Sequence, residues 1–388
     1  MGMTSAAVAQ VESTALHPVS LRFSPEFELL FACCGSRDPG LAAILASPLN
    51  WDLVLKLADH HRVTPALYAA VSERSDVPAS IQAAICSRFT THARNVLRFS
   101  AELARILRHF ADHDIPALAH KGPALAELLY GDPAMRQFRD LDVLVRAADI
   151  PRARAALKEL GYEPQIELST RQEKAYLSSG YEYVFGWNTE ANLLELQWQI
   201  LPRFYAINFD MGALFRRSEE IELDGARYRI LGQQDLMLVL CVHAAKHEWA
   251  QLGMLRDIAA LARFELDWEC IAAEAKRLGI ERVLKISLLL AHELLGHELP
   301  FKPFPECASE LALSIQSRLA SGTQSETESV RYFRTMMRVR ERWRDRLALF
   351  CRLAVTPSTG EWETISLPDS LFWLYRGVRL LRLTRRYS

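Results

Sequence analysis

Two aspartates, Asp140 and Asp142, are separated by a single leucine in the run Asp-Leu-Asp-Val-Leu-Val that ends at Val145. In a strand, residues i and i+2 share a face and lie about 6.5–7 Å apart. Both carboxylates therefore project from one face, with Leu141, Val143 and Val145 on the other. Two like charges at that distance repel by about 2–3 kcal/mol at an effective dielectric near 20. Water, an arginine, a shared proton or a metal ion could offset the repulsion. A third acid, Glu195, falls on the polar side of a second run, in which Leu194, Leu196, Trp198 and Ile200 alternate with Glu195, Gln197 and Gln199. Three carboxylates in one cleft are the hard oxygen donors that Mg²⁺ prefers. Two such ions about 3.5–4 Å apart can clamp the attacking and leaving oxygens of an in-line phosphoryl displacement. In that scheme Asp140 and Asp142 hold both ions, and Glu195 binds the catalytic one and helps deprotonate the acceptor.

Upstream, Lys121-Gly122 ends a short apolar run and opens a helix with Pro123 at its first turn. A glycine turn entering a helix lets backbone N–H groups approach phosphate at the positive end of the helix dipole. Lys121, Arg136 and Arg139 would then counter a triphosphate's charge. The plainer alternatives are a surface lysine beside a turn and an arginine that pairs with Asp140.

These residues need elements to hold them. Residues from Pro25 to about His113 follow helical periodicity, and Ile115–His120 reads as a strand. The Gly131-Asp132-Pro133 turn leads to the aspartate strand, and Ile150–Leu160 is an amphipathic helix closed by Gly161. Tyr181–Phe185 and Leu193–Ile200 flank a polar turn as a hairpin, and Ile221–Leu223 with Tyr228–Ile230 forms a smaller one. The remainder reads as helical. The resulting expectation is an α+β fold: a small mixed sheet carrying the acids, flanked by N-terminal and C-terminal helical regions. Its parts are a mobile tail over 1–20, a helical region over 21–112, the core over 113–231 and a helical domain with a basic tail over 232–388.

The chain has 388 residues, half of them hydrophobic, with a formal net charge of −1. No global field draws it to nucleic acid or membrane. The seven cysteines make no Cys-x-x-Cys pair, which argues against a zinc site and a disulfide framework and favours a reducing compartment. With no apolar run near the roughly 20 residues of a membrane span and no signal-peptide pattern, a cytoplasmic protein is expected. His60-His61-Arg62 is set aside as a ligand cluster, because adjacent helical residues do not share a face. The arginine-rich stretch from Arg331 to Arg346 is read as a solvated basic face packed from behind by Phe333, Met337 and Trp343. Nucleic-acid binding there is the less favoured reading.

The string Lys121-Gly-x(7)-Tyr130-x(5)-Arg136-x(3)-Asp-Leu-Asp-Val-Leu-Val resembles the uncharacterised bacterial nucleotidyltransferase family, a branch of the polymerase-beta-type nucleotidyltransferase superfamily. So do the segment Leu57–Val63, the Leu193-Leu-Glu195-Leu-Gln-Trp198 strand, His243-x-x-Lys246-His247-x-Trp249 with Leu255-Arg-Asp257, and the tail from Trp362 to Arg376. Family members often carry histidine two residues after the third acid, where this chain has Gln197; that weakens an acid–base role for the side chain but leaves the acid trio intact. The resemblance implies a nucleotidyltransferase core, an NTP donor, ATP being one option, and two Mg²⁺ ions. It favours a functional reading of His243, Lys246 and His247, which share a helix face at i, i+3 and i+4. They would hold the triphosphate or an anionic acceptor, with Asp257 orienting one of them. The plain reading is a polar face over the cleft's rim, with Trp249 and Leu252 in the core.

The leading expectation is transfer of an NMP from an NTP to a small molecule, peptide or saccharide. A metal-dependent glycosyltransferase using a nucleotide-sugar would use the same Asp-x-Asp anchor. A non-catalytic nucleotide-binding module would need neither turnover nor all three acids, and an RNA-modifying enzyme would show RNA affinity that falls steeply with salt.

Overall fold

The computed structural model describes residues 23–35, 40–187, 190–223, 225–298, 306–321, 330–356, 359–365 and 367–387. The tail expected over residues 1–20 lies outside them.

Five helices lead the chain: α1 (Pro25–Cys34), α2 (Leu41–Leu45), α3 (Trp51–His60), α4 (Thr64–Val71) and the 34-residue α5 (Ala79–Asp112). Asn50 starts α3 by accepting the Leu53 N–H with its side chain at 3.1 Å, which satisfies an otherwise orphan donor. The core follows as β1 (Ala117–Ala119), α6 (Gly122–Tyr130), β2 (Asp140–Val145), α7 (Ile150–Glu159), β3 (Tyr162–Pro164), α8 (Thr170–Ser179), β4 (Glu182–Trp187), β5 (Glu190–Gln197), α9 (Met211–Arg216), β6 (Glu219–Leu223) and β7 (Ala226–Ile230). Nine helices close the described chain: α10 (Gln233–Lys246), α11 (Leu252–Leu261), α12 (Trp268–Leu278), α13 (Glu281–Leu295), α14 (Glu306–Ser321), α15 (Val330–Val339), α16 (Trp343–Val355), α17 (Thr359–Thr364) and α18 (Tyr375–Tyr387).

All seven strands join one mixed sheet in the order β3-β4-β5-β2-β1-β7-β6. The aspartate strand is central, antiparallel to β1 and parallel to β5. Both expected hairpins form, β4–β5 and β6–β7. One boundary differs from the alternation: β5 stops at Gln197, so Trp198 and Ile200 lie beyond it. The cause is pairing, since Gln197 is the last residue of β5 matched to β2 and lies opposite Glu182, where β4 begins.

The two faces of β2 serve different cores. Leu141, Val143 and Val145 pack with Phe99, Leu103, Ile106 and Phe110 of α5 and with Ala153, Ala156 and Leu157 of α7. Leu144, on the face of the aspartates, joins a second core built from α1, α3 and α4 together with α10, α11 and α13. That face is thus polar at its first two outward positions and apolar at its third. Helices from both ends of the chain close over the acid-bearing end of the sheet.

The arginine-rich stretch corrects one expectation. Tyr332, Thr335, Met336 and Val339 are the buried residues of α15, with Phe333 and Met337 partly buried, but Trp343 is 67% exposed. The helical period does not carry through to Trp343, because α15 ends at Val339 and Trp343 begins a new helix. Within the stretch Arg340 is buried; it donates to the carbonyls of Ala206 (3.2 Å) and Leu278 (3.3 Å) and pairs with Asp345 at 3.2 Å. No helix among the described residues is long and apolar enough to cross a membrane.

Candidate active site

Leaving β1, the chain must turn sharply to start α6. Gly122 does so at φ +59°, a region where a side chain is strained. The turn is tied to the next strand by the His120 N–H, which donates to the Asp142 carbonyl at 3.1 Å. Lys121 is thereby folded over β2, and its ammonium lies 2.8 Å from Asp142 Oδ1. Lys121 is therefore no free surface lysine.

The parallel pairing of β2 and β5 sets Asp142 directly beside Glu195, and Asp140 beside Leu193. Neighbouring strands lie about 4.8 Å apart, so register alone forces the Asp142 and Glu195 side chains together. Gln197 stands between them: its Nε2 donates to Asp142 Oδ1 at 2.9 Å and to Glu195 Oε2 at 3.0 Å.

Burial and crowding separate the three acids electrostatically. Burial, and then the Asp142 charge, raise the Asp140 carboxyl above its ordinary value. Burial acts most strongly against the Asp142 carboxylate, but Lys121, His120 and a hydrogen bond with Glu195 together outweigh it and hold that carboxyl below the usual range. Glu195 is pushed up to about 9 by burial, then by Asp142 and Glu182. Lys121 is raised against its own burial, chiefly by Asp142. Asp142 is thus the firmly ionised member, and Glu195 the one that most needs added positive charge.

The expected helix face does reach the cleft: His243, Lys246 and His247 all line it. The helix itself is shorter than the periodicity suggests, ending at Lys246, because Glu248 (φ 52°) and Trp249 (φ 53°) take left-handed backbone. That turn drops Trp249 into the core, where its Nε1 donates to Ser287 Oγ at 2.9 Å. Burial, followed by Lys246, lowers the His247 imidazole to about 3, and burial followed by Lys121 puts His243 well below its ordinary value. Both rings are neutral hydrogen-bonding groups at neutral pH. Lys246 donates to the Tyr181 hydroxyl at 2.8 Å.

Asp257 does not orient a histidine. Its two oxygens accept from Tyr130 Oη (2.8 Å) and Arg136 Nε (2.9 Å). Arg136 accordingly pairs with Asp257 rather than Asp140, though it still lines the cleft. Arg139 is exposed and absent from the cleft lining.

Two lining residues, His60 and Arg62, come from the cluster set aside on sequence grounds. Those grounds bear on a metal role only; the two reach the cleft because α3 ends at His60 and Arg62 takes φ 57°. Asp140 is the leading charge favouring the Arg62 guanidinium against its burial. The usable signal was the Leu57–Val63 segment itself, which carried the family resemblance without a role attached. The whole cleft encloses about 370 Å³, within the range of small-molecule sites.

The mixed sheet thus sets Asp142 beside Glu195 beneath the Lys121-Gly122 turn, ringed by lysine, arginine and histidine. Residues 47–296 match the model described as uncharacterised nucleotidyltransferase, and the chain belongs to that family. It is a transferase, and its family implies an NTP donor and an acceptor. Comparison with curated proteins finds no match. Among solved structures, the chain is similar to a crystal structure of ANT(2")-Ia in complex with adenylyl-2"-tobramycin, at 13% identity and TM-score 0.35, over 47% of this chain and 97% of that one. It is also similar to a solution structure of the antibiotic-resistance factor ANT(2'')-Ia, at 15% identity and TM-score 0.28, over 58% and 95% of the two chains.

Proposed function

We propose that this protein catalyses Mg²⁺-dependent transfer of an NMP from an NTP to an acceptor hydroxyl, amine or phosphate, with Asp140, Asp142 and Glu195 as the metal-binding acids. The observation that carries the reading is the β2–β5 register, which pairs Asp142 with Glu195 one inward position from Asp140. The donor set fits: three carboxylates are hard oxygen ligands of the kind Mg²⁺ takes, and Glu195 at about 9 is destabilised as an anion until further positive charge arrives. When bound, two such ions supply charge stabilisation for the attacking and leaving oxygens.

The protein's own groups do the rest. The Gly122 turn and the start of α6 present backbone N–H groups to phosphate, and Lys121, Arg62 and Lys246 offset its charge. An acceptor O–H bonds to the α-phosphorus as the bond from that phosphorus to the α–β bridging oxygen breaks. Pyrophosphate leaves, and the acceptor's proton passes to the Glu195 carboxylate. His243 and His247 are placed to hydrogen-bond the triphosphate or the acceptor.

The test is pyrophosphate release from ATP, GTP, CTP and UTP, with and without Mg²⁺, in the presence of fractionated cell extract. Mg²⁺-dependent release that disappears in Asp142→Asn supports the reading. Release of UDP from UDP-glucose instead would replace it with glycosyl transfer, and nucleotide binding without turnover would leave a binding module.

A further inference from the structure

Outside the cleft, the C-terminal ends of α5 and α7 bring His109, His113 and Glu159 together. One ligand atom from each lies within 4.8 Å of the other two. We propose that this trio is a second metal site, selective for Zn²⁺ over Mg²⁺, that staples α5 to α7.

Geometry is the first argument. Glu159 Oε2 lies 3.1 Å from His109 Nε2 and 3.3 Å from His113 Nε2. Ligands about 2.0–2.1 Å from a tetrahedral zinc ion stand about 3.3 Å from one another. The two histidines are one helical turn apart, with ring centroids separated by 4.4 Å.

The second argument is the state of the imidazoles. His113 Nδ1 lies 2.9 Å from the His109 carbonyl, which can only accept, so Nδ1 carries the hydrogen. In the neutral ring, Nε2 then carries a lone pair 3.3 Å from the Glu159 carboxylate. Such a contact is repulsive unless a cation lies between, either a proton or a metal. A metal-bound histidine usually donates its other ring N–H to a backbone carbonyl or carboxylate in this way, which fixes its tautomer. His109 Nε2 is shut off from solvent and makes no aligned hydrogen bond, despite its 3.1 Å approach to the carboxylate. That off-axis approach suits two ligands that share a central ion.

The surroundings favour a cation as well. Both helices end here, so their dipoles present negative ends. Two imidazoles and one carboxylate suit Zn²⁺, whereas Mg²⁺ prefers oxygen. None of the three residues lines the catalytic cleft. The same junction is already bridged by Arg105, which donates to the Leu160 carbonyl at 3.4–3.5 Å, and by Arg152, which donates to the Asp114 carbonyl at 3.4 Å. A metal there would tighten an existing helix contact.

Zn²⁺ titration of the chelator-stripped full-length protein, read by competition with a chromophoric chelator, tests this. The acidic cleft and exposed thiols such as Cys86 are competing ligands for added zinc, so the readout is the difference between wild type and His109→Ala/His113→Ala. The expected result is one equivalent fewer in the double variant, at least a tenfold weaker affinity at this site in Glu159→Gln, and a larger Zn²⁺-dependent rise in Tm in wild type than in the double variant. Equal stoichiometry and affinity in wild type and the double variant would overturn the proposal. Should the double variant fail to fold, His113→Ala alone, at the more exposed of the two histidines, decides on the same criterion. Unchanged Mg²⁺-dependent pyrophosphate release in these variants keeps this result separate from the cleft chemistry.

Discussion

Arg136 donates through Nε to Asp257 Oδ2 at 2.9 Å, across 121 residues of chain, and both side chains are largely buried. The other Asp257 oxygen accepts from Tyr130. This pair ties the loop entering the aspartate strand to α11, and so fixes the helical wall against the sheet. Removing one partner leaves a buried charge unmatched, which costs about 3–5 kcal/mol. Asp257→Ala and Arg136→Ala should each lower the unfolding free energy measured by urea denaturation by that order, while the double variant loses much less than their sum. Additive losses in the double-mutant cycle would show that the residues do not act as a pair.

Transfer should depend steeply on the paired acids. Asp142→Asn and Glu195→Gln are each expected to reduce Mg²⁺-dependent pyrophosphate release by about 10²–10³-fold, the scale seen when charge stabilisation of a transition state is lost. Glu195→Gln should also leave stability unchanged or raise it, because burial and Asp142 already disfavour the Glu195 anion. A large drop in its denaturation midpoint would contradict that account.

Gln197 fills the gap between Asp142 and Glu195 with an amide that donates to both. Gln197→Leu preserves bulk but deletes both hydrogen bonds, leaving buried acceptors short of a donor at a cost of about 1–3 kcal/mol. The expected outcome is a destabilisation of that order, measured by urea denaturation, with the far-UV circular dichroism unchanged. Wild-type stability in Gln197→Leu would rule out a structural role for the bridge.

Acid stability should show the imprint of His61. It is 2% exposed, and burial, followed by His60, lowers its pKa from 6.5 to about 4. The unfolded chain takes up a proton at this site near pH 6.5 and the folded chain only near pH 4. Its contribution is therefore complete above pH 6.5 and is lost as the pH falls from there toward 4. Between pH 7 and pH 5 the loss is up to about 2 kcal/mol from this residue. Denaturation midpoints at the two pH values should differ less in His61→Leu than in wild type; equal differences would assign the acid sensitivity elsewhere.

The sequence made the aspartate strand legible because a period of two is local. Leu141, Val143 and Val145 had to share a face opposite Asp140 and Asp142, and they do. The same local reasoning gave the Lys121-Gly122 turn and the helix face of His243, Lys246 and His247. It failed at Trp343, where a helix ends sooner than its periodicity implies. It also failed at Asp257, whose partners lie more than 120 residues away and leave no local trace.

By itself, then, the sequence determined which residues could be acids in a cleft and which strands would carry them, since side-chain alternation and turn chemistry depend on near neighbours. Only the tertiary structure decided that β5 lies parallel to β2 with Glu195 opposite Asp142, that Lys121 and Gln197 hold that pair, and that Arg62 joins them. Strand register and long-range ion pairs are set by how the two cores pack around the sheet, and packing is a property of the whole chain.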